Sequence, residues 1–315
     1  MSGALDGKIA IVTGTSRGVG VGIARSLLLA GATVVGCSRR ELASLPAAEG
    51  IPGAAERSAQ WVCDQGDWRQ IDAFVARVAK EFNRIDILVN NAGGTVPTPH
   101  AEDVPALVAK IQGAPRADDA FERTALFHAF AIQMNLVSPL WFALRVARQM
   151  LTQEGKPEGA RSEAKPSVDR TSVGSIVNIS SGASHSAGAP TLVSYGAAKS
   201  GMNHMTKSLA QEWGPRIRVN CLALGPTTTE NFQRLVLGPD DPDGSRYFRN
   251  LPLRRAGDPE EVGNAVVFLC SGAADVINGA TILMDGGMLP GVLYEPGIAP
   301  IRQMLAAAER KGHAS

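Results

Sequence analysis

The stretch "IVTGTSRGVGVGIARSL", residues 11–27, constrains the fold of this chain more than any other. It starts as a short apolar run, passes through Gly14, Gly18 and Gly20, and continues with helical spacing. A strand that enters a helix through a glycine-rich turn opens a βαβ unit, whose next strand lies parallel to the first. Glycine there permits a tight turn and a close backbone approach, and the free N–H groups at a helix start attract a pyrophosphate. The turn Gly14, Ser16, Arg17, Gly18, Val19 and Gly20 is therefore the first candidate binding site.

The same alternation continues along the chain. Strands are expected at 8–13, 33–38, 59–64, 86–90, 175–180, 217–224 and 281–285, and helices at 18–30, 67–82, 121–150, 194–213 and 258–271. Several strands are apolar on both faces, as required when helices cover both sides of a sheet. The fold class is thus α/β, a Rossmann-type doubly wound parallel sheet of seven strands in a single domain. That domain spans 1–288 with insertions at 94–120 and 155–173, and 289–315 forms a C-terminal tail. Asp258-Pro259-Glu260-Glu261 marks the last helix start by a cap residue, a proline and two acids.

Charge and cysteine content narrow the function. Lys plus Arg number 31 against 30 Asp plus Glu, which offers no overall field for nucleic acid or an anionic membrane. No window approaches the ~20 apolar residues of a membrane span. Asp6 and Lys8 precede a run too short for a signal peptide, so a soluble, cytoplasmic protein is expected. Cys37, Cys63, Cys221 and Cys270 form no C-x-x-C pair and read as buried, reduced thiols. Metal-ligand spacing is absent, so no metal is expected, and Asp240, Asp241 and Asp243 read as a solvated turn.

Two short motifs carry the chemistry. In "VSYGAAKSG" Tyr195 and Lys199 stand four apart and share a helix face. Either they are a surface pair on an amphipathic helix, or the ammonium lowers the tyrosine pKa from about 10 to make a proton donor and acceptor. At the end of the second strand "CSRR" places Ser38, Arg39 and Arg40 where an acid would bind the ribose hydroxyls of NAD. Guanidinium groups there, with Arg17 in the turn, suit a 2′-phosphate, so NADP is the expected cofactor and NAD the less favoured one.

These residues, together with Asp64, "NNAG" (90–93), Asn135 in "QMNLVSP", "SIVNISS" (175–181), "YGAAK" (195–199) and "GATILMDGG", resemble the short-chain dehydrogenases/reductases of the classical type over nearly the whole chain. The resemblance implies that Tyr195 is the general acid, that Lys199 binds the nicotinamide ribose and depresses the tyrosine pKa, and that Ser181 steadies the substrate oxygen. It implies that Asn135 holds a water relaying protons to Lys199, with Asp64 and Gln65 at the adenine and Asn91, Ala92 and Gly93 at the adenosine ribose. Gly225, Thr227 and Thr229 would meet the nicotinamide amide. Ser181 lies fourteen residues before Tyr195, one more than the family pattern, which leaves Ser180 and Ser184 as rivals. "Leu224-Gly225-Pro226" replaces the usual Pro-Gly.

The expected activity is NADPH-dependent reduction of a ketone or aldehyde, a small-molecule substrate. The alternatives are an NAD-linked alcohol dehydrogenase working in the oxidising direction and a non-catalytic NADP-binding sensor. Leu192, Val193 and Phe232 hint at a pocket of moderate polarity; His185 reads as a rim residue and His204 as packed or at a subunit contact. A homodimer or homotetramer is expected through helices 121–150 and 194–213, whose outer faces would offer Phe127, Phe130, Trp141, Met202 and Met205. Within 94–120, Val104, Leu107, Val108 and Ile111 recur at helical spacing between Asp103 and Gly113, which makes a short lid helix or a subunit contact.

Overall fold

Each apolar run becomes a strand within two residues of its expected bounds: β1 (Ile9–Thr13), β2 (Thr33–Ser38), β3 (Ser58–Val62), β4 (Ile87–Asn90), β5 (Gly174–Ser181), β6 (Ile217–Leu224) and β7 (Thr281–Met284). The computed structural model describes residues 3–94, 120–153, 172–186, 192–235, 237, 241, 243–249 and 251–288. Among these, the strands form one sheet in the order β3-β2-β1-β4-β5-β6-β7, and every pairing is parallel. The candidate lid, the bulk of the second insertion and the C-terminal tail lie outside the described residues.

The helices are α1 (Val19–Leu29), α2 (Trp68–Phe82), α3 (Ala120–Ile132), α4 (Ser138–Thr152), α5 (Val193–Trp213), α6 (Glu230–Leu235), α7 (Ser245–Phe248) and α8 (Pro259–Cys270). The single helix expected over 121–150 is α3 and α4 joined by a π turn, Gln133–Val137. Pro139 sits at the start of α4 and has no N–H for a regular ladder, which the wider turn accommodates.

Alternation along the strands divides the core in two. Ile9 and Ile11 pack with Phe74 of α2, Phe142 and Val146 of α4 and Met202 of α5. Their neighbours Ala10 and Val12 face Ile23 and Leu27 of α1 and Val262 and Val266 of α8. Each large apolar side chain so buried contributes about 1.5–3 kcal/mol. On the second face the helix axes come close at glycines. A Cβ on Gly22 would lie 2.4 Å from Pro259, and one on Gly263 would lie 2.6 Å from the Gly22 carbonyl oxygen. Asp258 caps α8 as expected, with Glu261 reaching back to the Asp258 N–H in a capping box.

Two expectations need correction. The segment Ala125–Thr152 is long and apolar enough, by length and composition, to cross a membrane. Its apolarity is accounted for inside the fold, where Phe142, Ala143, Val146, Ala147 and Met150 fill the core. Likewise Phe127, Phe130, Met202 and Met205 are buried within the chain rather than set on outer faces, because sheet and neighbouring helices cover them. The apolar residues that α4 does expose are Leu144 and Leu151.

Candidate active site

The cleft lies at the carboxyl edge of the sheet, where the strand order reverses between β1 and β4, and encloses about 620 Å³. At its phosphate end the chain turns with φ of 75° at Gly14 and 60° at Gly18, values that side chains disfavour. A Cβ on Gly20 would lie 2.1 Å from the Gly14 carbonyl oxygen, so only glycine lets α1 start this close to β1. The loop after β4 is tied to the same turn. Thr13 Oγ1 accepts from the N–H groups of Asn91 and Ala92, and Asn91 Nδ2 donates to the Thr13 carbonyl at 2.8 Å. Thr13 does this although nothing in the residues singled it out; its place at the last position of β1 was the available signal.

Gly14, Ser16, Arg17, Gly18, Val19, Gly20, Asn91, Ala92 and Gly93 all line the cleft, as expected. The bare glycine backbone and the free start of α1 fit a dinucleotide pyrophosphate. Ser38 and Arg39 line the adenosine end, while Arg40 does not. Neither Arg17 nor Arg39 is ion-paired among the described residues. Asp64 does not line the cleft; its carboxylate accepts from the Gly66 N–H at 2.9 Å and shapes the turn. Gln65 is buried and donates to the carbonyls of Ala92 and Met134, so its side chain joins two loops. Cys37 of β2 and Cys63, directly after neighbouring β3, meet at the cleft wall, and their contact together with burial raises the Cys37 pKa.

The reacting end is made of side chains, with Lys199 buried and Ser181 and Tyr195 part-exposed on the cleft wall. Ser181 ends β5, and its hydroxyl is hydrogen-bonded to Tyr195 on the first turn of α5. Its rivals serve elsewhere: Ser180 Oγ donates to the Lys199 carbonyl, and Ser184 Oγ donates to the Ser181 carbonyl at 2.6 Å. Lys199 is 3% exposed, and its ammonium donates to the Ile179 carbonyl at 2.8 Å and lies 5.8 Å from the Tyr195 ring centre. Burial pulls its pKa from 10.5 to about 8, opposed by the field of Cys221. Burial also raises the Tyr195 pKa, against the hydrogen bond from Ser181. The depression of the tyrosine expected from Lys199 is not found here: desolvation raises the phenol's pKa and outweighs the hydrogen bond from Ser181 that lowers it.

Asn135 stands in the π turn and is buried. Its Oδ1 accepts from the Gly94 N–H at 2.9 Å and its Nδ2 donates to the carbonyls of Gly94 and Ala131. The carboxamide thus holds the loop after β4. A Cβ on Gly93 would lie 2.6 Å from that Oδ1, which explains the glycine. Asn203, one turn beyond Lys199, was not foreseen; its Nδ2 donates to Ser184 Oγ and its Oδ1 accepts from Cys221 Sγ, tying α5 to the Ser181 loop.

Gly225, Thr227 and Thr229 line the opposite wall with Phe232, whereas Leu192 and Val193 do not line the cleft. Thr229 Oγ1 accepts from the Phe232 N–H, and its methyl group would lie 3.3 Å from a Cβ on Gly18, so α6 begins beside the glycine turn. Phe130 and Met134 also face the cleft, although apolar spacing alone did not distinguish them from core residues. His185 is an exposed neighbour of Asn203 outside the cleft wall, and His204 is exposed rather than packed. No group of three His, Cys, Asp or Glu side chains is placed to hold a metal among the described residues.

Residues 8–239 match the family model described as short chain dehydrogenase. The 2-dehydro-3-deoxy-D-gluconate 5-dehydrogenase of Pseudoalteromonas atlantica is 30% identical over 287 residues, covering 90% of this chain and 97% of that protein. The D-threitol dehydrogenase of Mycolicibacterium smegmatis is 31% identical, over 90% of this chain and 93% of its own. Among solved structures, a 7α-hydroxysteroid dehydrogenase complexed with NADH and 7-oxo glycochenodeoxycholic acid matches with a TM-score of 0.69 at 28% identity. That match covers 90% of this chain and 94% of the other.

Proposed function

The chain belongs to the short-chain dehydrogenases, nicotinamide-dependent oxidoreductases, and from that premise we propose that it is an NADPH-dependent reductase of a ketone or aldehyde, working reversibly on the corresponding alcohol. The observation that carries this reading is the Ser181–Tyr195 hydrogen bond with Lys199 buried one turn on, in the same cleft as the glycine turn. Bound there, the coenzyme supplies a hydride.

The residues do the rest. The turn from Gly14 to Gly20 would offer backbone N–H groups to the pyrophosphate, and Arg17 and Arg39, which line the cleft, would hold the 2′-phosphate. Asn91, Ala92 and Gly93 flank the adenosine ribose, with Gln65 fixing that loop and Asp64 the turn beside it. Thr227 and Thr229 orient the carboxamide beside Gly225. Tyr195 gives its proton to the carbonyl oxygen, and Ser181 donates a hydrogen bond to the same oxygen as charge gathers on it. Lys199 would hold the nicotinamide ribose through its ammonium, and a cation beside the phenol favours the phenolate. Asn135 holds the loop on which the substrate rests.

An NAD-linked dehydrogenase is the second reading, because the steroid dehydrogenase that this chain resembles was solved with NADH. A homo-oligomer is also proposed, with Leu144 and Leu151 as apolar contacts; a monomer by light scattering at micromolar concentration contradicts it. For the main reading, NADPH is mixed with keto-sugars, polyol-derived ketones and keto-steroids, and nicotinamide absorbance is followed. Turnover with NADPH in excess of NADH, abolished by Tyr195→Phe, is the expected result. Arg39→Asp should reverse the coenzyme preference. No turnover on the whole panel sinks the reading.

A further inference from the structure

Of two consecutive arginines after β2, Arg39 lines the cleft and Arg40 does not. A chain of hydrogen bonds lies behind this turn. Ser38 Oγ lies 2.7 Å from the Arg40 carbonyl oxygen. A carbonyl has no proton to give, so Ser38 is the donor and has only lone pairs left to offer. Gln60, on neighbouring β3, fills one of them: its Nε2 donates to Ser38 Oγ at 3.0 Å. The amide is thereby fixed in orientation, and its Oε1 accepts from Thr15 Oγ1 at 2.6 Å.

Thr15 is fully buried and stands two residues before Arg17 in the glycine turn. The chain thus starts beside one cleft arginine and ends on the backbone that carries the other. Gly36 makes room for it. A Cβ there would lie 2.4 Å from Thr15 Oγ1 and 2.5 Å from Gln60 Oε1. Gln60 itself does not line the cleft.

We propose that Gln60 is the positioning residue for coenzyme selection, holding the Ser38–Arg40 turn so that Arg39 faces Arg17 across the place of the 2′-phosphate. The inference rests on the NADPH reading and adds a residue that touches no coenzyme. A guanidinium held in place by a fixed backbone loses less freedom on binding a phosphate than one on a loose loop.

The test measures dissociation constants for NADPH and NADH by protein fluorescence. The proteins are wild type, Gln60→Met, Gln60→Glu, Arg39→Ala and the Gln60→Met/Arg39→Ala double variant. Gln60→Met keeps the bulk and removes both polar groups; Gln60→Glu keeps the acceptor for Thr15 and loses the donor to Ser38. Both should weaken NADPH binding about five- to tenfold and leave NADH within about twofold. In the double variant NADPH should bind no more weakly than to Arg39→Ala alone, because nothing is left to position. Equal losses for both coenzymes, an unchanged NADPH:NADH ratio, or additive losses in the double variant overturn the proposal. Failure of the NADPH reading has its own signature: wild type prefers NADH, or Arg39→Ala leaves NADPH affinity intact, and the role of Gln60 falls with it. Gln60→Leu, uncharged and likewise without donor or acceptor, carries the test if Gln60→Met does not fold.

Discussion

The two ends of the cleft are made of different materials. The phosphate end is backbone: positive-φ glycines at Gly14 and Gly18, a helix start, and two exposed arginines at the rim. The reacting end is side chains, Tyr195 on the cleft wall and Lys199 buried behind it, each with its pKa moved by loss of water. A backbone site binds through groups that every residue has, so it demands the absence of side chains. A side-chain site works through particular atoms and carries the desolvation of the charges that it holds. Mutations at the first end should therefore act through shape, and at the second through protons.

Tyr195→Phe tests this division most severely. It should lower kcat by about a thousandfold while the NADPH dissociation constant stays within about twofold. A matching loss of coenzyme affinity, read by fluorescence titration, would erase the distinction between the ends.

Gly20→Ala is the counterpart. Its Cβ meets the Gly14 carbonyl oxygen at 2.1 Å, so α1 must shift away from the turn. A stability loss of about 2–3 kcal/mol in denaturant and a coenzyme affinity reduced at least about tenfold are expected.

Lys199 sharpens the comparison through pH. Its folded pKa of about 8 lies below the 10.5 of the free group, so the unfolded chain binds the extra proton between those values. Stability from this group therefore rises with pH through that window, and below it the buried charge costs about 3 kcal/mol. Lys199→Met should be more stable than wild type at pH 7, with the advantage shrinking toward pH 10 in thermal melts, although inactive. A constant difference across that range would refute the buried charge.

Asn203→Leu should have the smallest effect. Loss of its bond to Ser184 loosens the Ser181 loop, lowering kcat about fivefold with coenzyme affinity unchanged. Steady-state kinetics with separate coenzyme titration checks it.

What could be read from the sequence divides along the same line. The glycine turn and the Tyr195–Lys199 pair are local patterns, visible within one turn of chain, and both line the cleft. The bond from Asn135 to Gly94 spans 41 residues and that from Thr15 to Gln60 spans 45, so neither has a local signature. The direction of the Tyr195 shift was misread because spacing reports the neighbouring cation and not the depth of burial. The outward-facing aromatics were misread for the same reason: a helix apolar on several faces is equally explained by its own sheet, which covers Met202 and Met205. Pro139 was a usable sign of the break between α3 and α4.

The strand order has a consequence for how the molecule comes into being. β1 pairs with β2 on one side and with β4 on the other, and β4 lies some seventy-seven positions further along, by the register of Ala10 with Ile87. A nascent chain that has emerged only as far as β3 holds the glycine turn, yet one border of β1 stands open with its N–H and C=O groups unmatched. Pairing across so long a separation is slow to nucleate, and such a border invites intermolecular pairing while it waits. The nucleotide cleft straddles this seam, so it exists only after β4 has docked, and no amino-terminal fragment lacking β4 contains it.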